Sequence, residues 1–230
     1  MASTETLSAA CKGTTVTRVL LLLGPPGSGK GTQSERLVKK LHVPAISTGD
    51  MIRAEVRTGS ELGKKAQAIM ATGALLDDKI VNDIVASRLT KPDCASGFML
   101  DGYPRTVAQA EYLGGLLTKL GYPQPTIVHI DVPNEQLISR TCQRRYCTQC
   151  GHIYNLLSNA PKQEGKCDLC GAALAQRADD CEDTVRNRLV AYEKSTAPLI
   201  GYYANGDYHR IQGTGTPDEV FAAVSKALAL

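Results

Sequence analysis

The sequence has no apolar run longer than the five residues of Val19–Leu23. That is far short of the ~20 residues a helix needs to cross a bilayer. It also has little excess of one charge: 230 residues carry a formal net charge of +3. A balance that mild does not argue by itself for a nucleic-acid or membrane partner. Residues 1–17 are Ser/Thr-rich and lack an apolar segment, which excludes a secretory signal. Glu5 and the scarcity of arginine there speak against an organelle presequence. A flexible tail over 1–17 on a cytoplasmic protein is expected. No internal repeat is found, which excludes a solenoid.

What is present is alternation. Apolar β-type runs at 18–23, 43–46, 98–100, 126–132 and 208–212 are separated by helix-period stretches. Helices are expected from the loop after residue 23 through Leu41, over 49–57, 60–72, 77–90, 106–119 and 134–145, and in a long stretch from about 182. Thr216-Pro217-Asp218-Glu219 reads as a last helix start, with Thr at the N-cap, Pro at N1 and Glu at N3. Strand–helix alternation predicts an α/β fold whose central parallel sheet is covered by helices on both faces. One segment, about 143–180, interrupts the pattern and reads as an insertion.

"GPPGSGKGT", Gly24 to Thr32, follows the first strand and opens a helix. That is the context a phosphate loop requires, against the alternative of a Gly/Pro turn with a chance lysine. Backbone N–H groups and the helix N-terminus hold phosphates in such a loop, with Lys30 adding a mobile positive charge. The hydroxyl that usually follows the lysine is displaced by one residue, to Thr32, where it can serve near Mg²⁺.

Eight cysteines are present, and four fall in two pairs, Cys147-x2-Cys150 and Cys167-x2-Cys170. This spacing signals zinc rather than a pair of disulfides. Gly151 and Gly171 ease the tight turns that aim sulfur at a metal. Four thiolates close a tetrahedral shell, so the zinc is expected to be structural, with His152 a neighbour. Cys11, Cys94, Cys142 and Cys181 have no such spacing and read as plain thiols.

The shifted hydroxyl narrows the family. "GPPGSGKGT" resembles the loop of the nucleoside monophosphate kinases. "ISTGDMIR" (46–53), "FMLDGYPRT" (98–106), "QRRYC" (143–147), "RADD" (177–180) and "TVRNRL" (184–189) are similar to adenylate kinase motifs in the family's order. The resemblance covers nearly everything from Arg18 onward, and the cysteines place it with the zinc-bearing, long-lid form. It implies a phosphate-loop kinase core over 18–230 carrying an AMP-binding helical insert at 47–76 and a zinc lid at 143–180. It implies the reaction Mg·ATP + AMP ⇌ 2 ADP, in adenine nucleotide homeostasis, with Mg²⁺ and structural Zn²⁺ as cofactors. The partners are then small nucleotides alone, ATP, AMP and ADP, and the default is a monomer.

Carried over position by position, the resemblance puts ATP on Gly27, Ser28, Gly29, Lys30, Gly31, Thr32, Arg144, Ile153, Tyr154 and the backbone of Gly215. It puts AMP on Thr48, Arg53, Ala74, Leu75, Leu76, Gly102, Tyr103, Pro104, Arg105, Gln109, Arg177 and Arg188. Lys30, Arg105, Arg140, Arg144, Arg177 and Arg188 supply cations to the reacting phosphates. Planar guanidinium forks suit that role. Asp101 reads either as a turn-forming Asp-Gly or, preferred here, as a carboxylate near Mg²⁺ through water. Asp50 is a weaker second candidate, better explained as a helix-start residue. Thr48 in "STGD" favours AMP over a pyrimidine acceptor, and Gln109 offers an amide to an adenine edge. Two rivals are carried along: the same fold with a GTP donor or a UMP/CMP acceptor, and a nucleotide switch binding nucleic acid through a zinc ribbon. Only Lys162 and Lys166 provide positive charge near the ribbon, thin for a phosphate footprint.

Overall fold

The computed structural model describes residues 18–230, so the expected tail over 1–17, Cys11 included, lies outside the described residues. The chain begins with β1 (Arg18–Leu23), α1 (Lys30–Leu41), β2 (Ala45–Ser47), α2 (Thr48–Thr58), α3 (Glu61–Thr72) and α4 (Asp78–Leu89). It continues with β3 (Gly97–Asp101), α5 (Val107–Leu120), β4 (Thr126–Asp131) and α6 (Asn134–Cys142). Three short strands follow, β5 (Arg144–Cys147), β6 (Ile153–Asn155) and β7 (Leu174–Ala175). The chain closes with α7 (Glu182–Ala191), α8 (Pro198–Tyr203), β8 (Tyr208–Gln212) and α9 (Pro217–Ala227).

The central sheet has the order β2-β3-β1-β4-β8, and every pairing in it is parallel. β1 is apolar at successive positions because helices cover both faces of the sheet. Val19, Leu21 and Leu23 pack with Phe98, Leu100, Val85 and Leu113 on one face. Leu20 and Leu22 pack with Met99, Val128, Leu37 and Val224 on the other. A parallel sheet built this way gathers its ligand-binding loops at the carboxyl ends of the strands. The loops after β1 and β3 lie there side by side, since Leu22 pairs with Asp101.

Helix starts follow local chemistry. The side chains of Ser47, Ser60, Asp77 and Thr106 each accept a first-turn N–H, and Thr216 with Glu219 forms a full capping box. Three expectations shift. The helix expected over 134–145 ends at Cys142, because Arg144–Tyr146 pair with Ile153–Asn155 in the antiparallel sheet β6-β5-β7. The short strand expected at 43–46 lies at Ala45–Ser47, where β3 offers partners. The long helix from 182 is broken by a π turn over Tyr192–Thr196, in which the Ala197 N–H donates to the Tyr192 carbonyl at 2.9 Å. Pro198 follows at once; lacking an N–H and crowding the preceding turn, it cannot continue the regular ladder. Among the described residues, no helix is long and apolar enough to cross a membrane.

Candidate active site

The loop between β1 and α1 is shaped by close approach. Gly27 has φ +86°, and a Cβ there would collide with the Thr141 hydroxyl and with the Leu137 carbonyl at 2.7 Å. The loop is therefore seated directly on α6, which only glycine permits. α1 begins at Lys30, so its unpaired first-turn N–H groups face the loop. The Lys30 ammonium donates to the Gly24 carbonyl at 2.6 Å and the Pro25 carbonyl at 2.9 Å. Burial pushes it down to about 8; Asp101 pulls the other way, and Arg105, Arg188 and Arg144 add to the lowering. Asp101 ends β3, and burial raises its carboxyl pKa against the opposing pull of Lys30 and Arg105.

A cleft of about 420 Å³ opens above this loop. It brings together Lys30, Thr32 and Asp101 with six arginines from separate stretches: Arg53, Arg105, Arg140, Arg144, Arg177 and Arg188. Gly27, Ser28, Gly29, Gly31, Ile153, Tyr154 and Gly215 line it as well. Arg105 donates through Nε to the Gly102 carbonyl at 2.8 Å, and Arg140 donates to the Gly213 carbonyl at 2.7 Å. Arg53 pairs with Asp50, and Arg177 reaches the same carboxylate at 3.7 Å. Burial lowers Arg105 to about 10, with Arg188 adding to the effect; burial, then Arg144, lowers Arg177 to about 10. Ile153 comes within contact distance of Gly31, and His152 Nδ1 lies 3.2 Å from the Glu35 carboxylate, so the β5–β7 segment rests on α1.

A side arm of about 60 Å³ is lined by Thr48, Arg53, Gly102, Arg105, Gln109 and Arg188, with Ala74, Leu75 and Leu76 closing it. Thr48 donates its hydroxyl to the Gly102 carbonyl at 2.8 Å. The Gln109 amide is half engaged: Oε1 accepts the Arg105 N–H at 2.7 Å, and Nε2 donates to Asp78 at 2.7 Å. One N–H and one lone pair remain. Pro104 lines an adjoining cavity of about 80 Å³ beside Lys30 and Arg105.

Three expected residues are placed differently. The Tyr103 ring is wholly buried in the core, and its hydroxyl donates to Asn82 at 2.6 Å, so its side chain lines neither space. Arg177 lines the main cleft, not the side arm. Tyr154 lines the cleft, yet its hydroxyl is turned inward, accepting the Asp168 N–H at 2.7 Å and donating to Cys167 Sγ at 3.5 Å.

The sulfurs of Cys147, Cys150, Cys167 and Cys170 lie within 4.8 Å of one another. Cys147–Cys170 and Cys150–Cys167 are 3.4 and 3.6 Å apart. Those are not disulfide lengths of about 2.05 Å. A tetrahedral shell with Zn–S near 2.3 Å has edges of about 3.8 Å, which the cluster matches. Gly151 and Gly171, at φ +75° and +74°, return their N–H groups to the Cys147 and Cys167 carbonyls. The Cys150 N–H holds the Cys147 thiol below its ordinary range and the Tyr154 hydroxyl draws Cys167 down to about 6, while the neighbouring thiols push Cys150 up to about 12 and raise Cys170.

The family profile described as adenylate kinase matches residues 22–208. This chain belongs to the adenylate kinase family. It is 50% identical over 210 residues to the adenylate kinase of Carboxydothermus hydrogenoformans, covering 91% of this chain and 98% of that protein. It is 48% identical to the adenylate kinase of Thermodesulfovibrio yellowstonii over 91% and 98% of the two chains. The adenylate kinase of Methanococcoides burtonii is 46% identical, over 91% and 97%.

In this adenylate kinase family member the structure adds residues that sequence reasoning passed over. Asp180 is fully buried and forms a two-point pair with Arg144, whose Nε donates to Oδ2 at 2.8 Å. Asp179 accepts from Arg188 at 2.8 Å. Burial alone would raise the Asp179 pKa, but Arg188, Arg53, Arg144 and Arg177 together hold it low. Burial would likewise lower Arg144, yet its bonds to Asp180 hold it above its usual value. The readable signal was two adjacent carboxylates two and three residues after Arg177 in a chain gathering arginines.

Proposed function

We propose that this chain transfers the terminal phosphoryl group of Mg·ATP to AMP, reversibly, giving two ADP. The observation that carries the reading is the convergence of Lys30 and six arginines on one cleft with a side arm. The relatives' printed names point the same way.

The acceptor is already an anion, so no activated side-chain nucleophile is needed. The protein aligns two phosphates and neutralises the charge spread over the transferred group. In this reading the loop N–H groups and Lys30 hold the donor phosphates, Arg53 and Arg105 hold the AMP phosphate in the side arm, and Arg140, Arg144, Arg177 and Arg188 surround the transferring group. Asp101 and Thr32 fit a hard cation that keeps most of its waters, and Mg²⁺ with ATP would supply charge neutralisation there. Segments 47–76 and 143–180 act as inserts that cover the cleft and exclude water. The lid cysteines hold a structural zinc: four sulfurs leave no open coordination position.

Cytoplasmic location and monomeric action complete the proposal. The first is supported by cysteines that serve as ligands or free thiols. An adenine acceptor is favoured by Thr48, whose hydroxyl touches Gly102 at the side arm.

Purified protein incubated with Mg²⁺ and ADP should yield ATP and AMP in equal amounts. A matrix of ATP and GTP as donors against AMP, UMP and CMP as acceptors then fixes base choice. Formation of neither product from ADP would overturn the reading.

A further inference from the structure

The Gln109 amide in the wall of the side arm is held from two sides by groups of opposite chemistry. Its Oε1 accepts the Arg105 backbone N–H at 2.7 Å, and its Nε2 donates to Asp78 Oδ1 at 2.7 Å. A backbone N–H only donates and a carboxylate only accepts. Turning the amide over would therefore set donor against donor and lone pair against lone pair. Asp78 supplies half of this constraint, yet it lines neither the side arm nor the main cleft.

Asp78 is itself placed by two helix starts. It opens α4, one residue after the capping Asp77, whose side chain accepts the Lys79 N–H at 2.9 Å. Its second oxygen, Oδ2, accepts the Thr106 hydroxyl at 2.8 Å, and Thr106 caps α5 by accepting the Gln109 N–H at 3.1 Å. Both carboxylate oxygens are thus committed, and Asp78 cannot turn away from Gln109 without also losing Thr106. One turn along α4, Asn82 accepts the Tyr103 hydroxyl at 2.6 Å. The chain at 103–109 therefore stays fastened to α4 at a second point when the Asp78 carboxylate is removed, and α4 keeps its own cap. What then depends on Asp78 is the direction of the Gln109 amide.

That amide keeps one N–H and one lone pair for a ligand. Adenine presents a donor, the 6-amino group, beside an acceptor ring nitrogen, the pattern a Gln amide meets at two points. Hypoxanthine has an oxo acceptor at position 6 and a protonated N1 beside it. With the ring in the same pose both positions are reversed, and only an overturned amide would match them. We infer that Asp78 is a positioning residue for acceptor choice: by locking the polarity of Gln109 it makes the side arm prefer a 6-aminopurine monophosphate over a 6-oxopurine one. The inference rests on the phosphotransfer reading above, with the acceptor base against Gln109. A polar site built to pair with a given edge rejects most strongly the analogue that leaves its groups unpaired.

The test compares kcat/KM for AMP and inosine monophosphate, with Mg·ATP saturating. The proteins are the parent, Asp78→Ala, Asp78→Asn, Gln109→Met and the double variant of Asp78→Ala with Gln109→Met. The parent favours AMP. Asp78→Ala is expected to lower the ratio of AMP to inosine monophosphate about ten-fold or more, the scale of one hydrogen bond to a charged group. Asp78→Asn, which keeps an acceptor oxygen for the same N–H, should retain most of the parent's ratio. On the Gln109→Met background, Asp78→Ala should change the ratio no further, because its effect passes through the amide. Melting curves report the lost Thr106 bond separately. The inference is overturned if Asp78→Ala slows both acceptors alike, if Asp78→Asn loses the ratio as far as Gln109→Met does, or if the double variant falls below Gln109→Met. It is overturned as well by a parent that uses both acceptors equally while making ATP and AMP from ADP. A parent that makes neither product from ADP sinks the phosphotransfer reading instead, so the two failures are distinct.

Discussion

At the carboxyl ends of the central strands, Lys30 and Arg105 rest on backbone carbonyls with no carboxylate bonded to them; at the lid hinge, Arg144 is clasped by Asp180. All three are partly buried, but with opposite results. Burial drags Lys30 down to about 8 and Arg105 to about 10, whereas the bonds to Asp180 outweigh the same penalty on Arg144. A buried cation without a paired anion is costly, and a substrate phosphate is the group that removes the cost. The loops at the strand ends are therefore arranged to receive charge, and the hinge to keep its shape without it. The lid itself extends the contrast: its core is little more than Tyr154 with Cys147 and Cys167, against the two broad apolar layers that cover the sheet.

The largest effect should come from the loops at the strand ends. Lys30→Met is expected to cut turnover by about two to three orders of magnitude or more, with an unchanged circular dichroism spectrum. Near-parental turnover would erase the difference between receiving and shaping cations.

Arg105→Ala sharpens the comparison within the cleft. Loss of one charge-assisted pair should weaken AMP about ten- to a hundred-fold and ATP far less. Equal weakening of both nucleotides would mean that the side arm and the main cleft have been assigned the wrong way round.

The pH dependence follows from Lys30. Its folded pKa lies near 8, below the ordinary 10.5, so between these values the unfolded chain binds more protons than the folded one. The strain of the buried charge is thus fully present below pH 8 and is relieved as pH rises toward 10.5. A bound triphosphate raises the Lys30 pKa again. ATP binding near pH 9 should accordingly take up roughly one proton, and affinity should fall up to about ten-fold per pH unit above 8. Calorimetry in two buffers of different ionisation heat measures the uptake. If Lys30→Met takes up as many protons as the parent, another group is responsible.

The smallest effect on chemistry is expected in the lid. A segment this poor in apolar contacts needs a metal clip to hold it. Cys167→Ser should lose metal and melt at a clearly lower temperature, yet keep substantial activity in the cold with saturating nucleotide. A variant that is inactive although folded, with a protease-resistant lid, would give the metal a direct chemical role and abolish the distinction drawn here.

Much of this arrangement is readable residue by residue. The phosphate loop depends on neighbours in the chain: a strand, glycines free to take positive φ, and a helix start at Lys30. The cysteine pairs are equally local, each being a short turn closed by its own glycine N–H. Five of the six arginines sit inside a recognisable stretch, with Arg140 just before one, and the cleft does bring all six together. Asp179 and Asp180 were passed over because their partners are fixed by the return of the chain. Arg144 lies 36 residues before Asp180, across the whole lid.

The sequence by itself determined the strand–helix alternation, the anion-binding loop, the helix starts at Ser60, Asp77, Thr106 and Thr216, and the four-sulfur cluster. Apart from the joining of the two cysteine turns, which brings Cys150 and Cys167 together across 17 residues, these are settled by interactions a few residues long, where backbone sterics and capping act before any fold exists. Tertiary structure alone decided that the helix after Asn134 stops at Cys142, since the pairing of β5 with β6 outweighs continuation of the helix. It alone turned the Tyr103 ring into the core and half-engaged Gln109 with Asp78 and Arg105. Which face a side chain takes, and which distant carbonyl or carboxylate waits there, is a property of packed neighbours. No short window of sequence contains them.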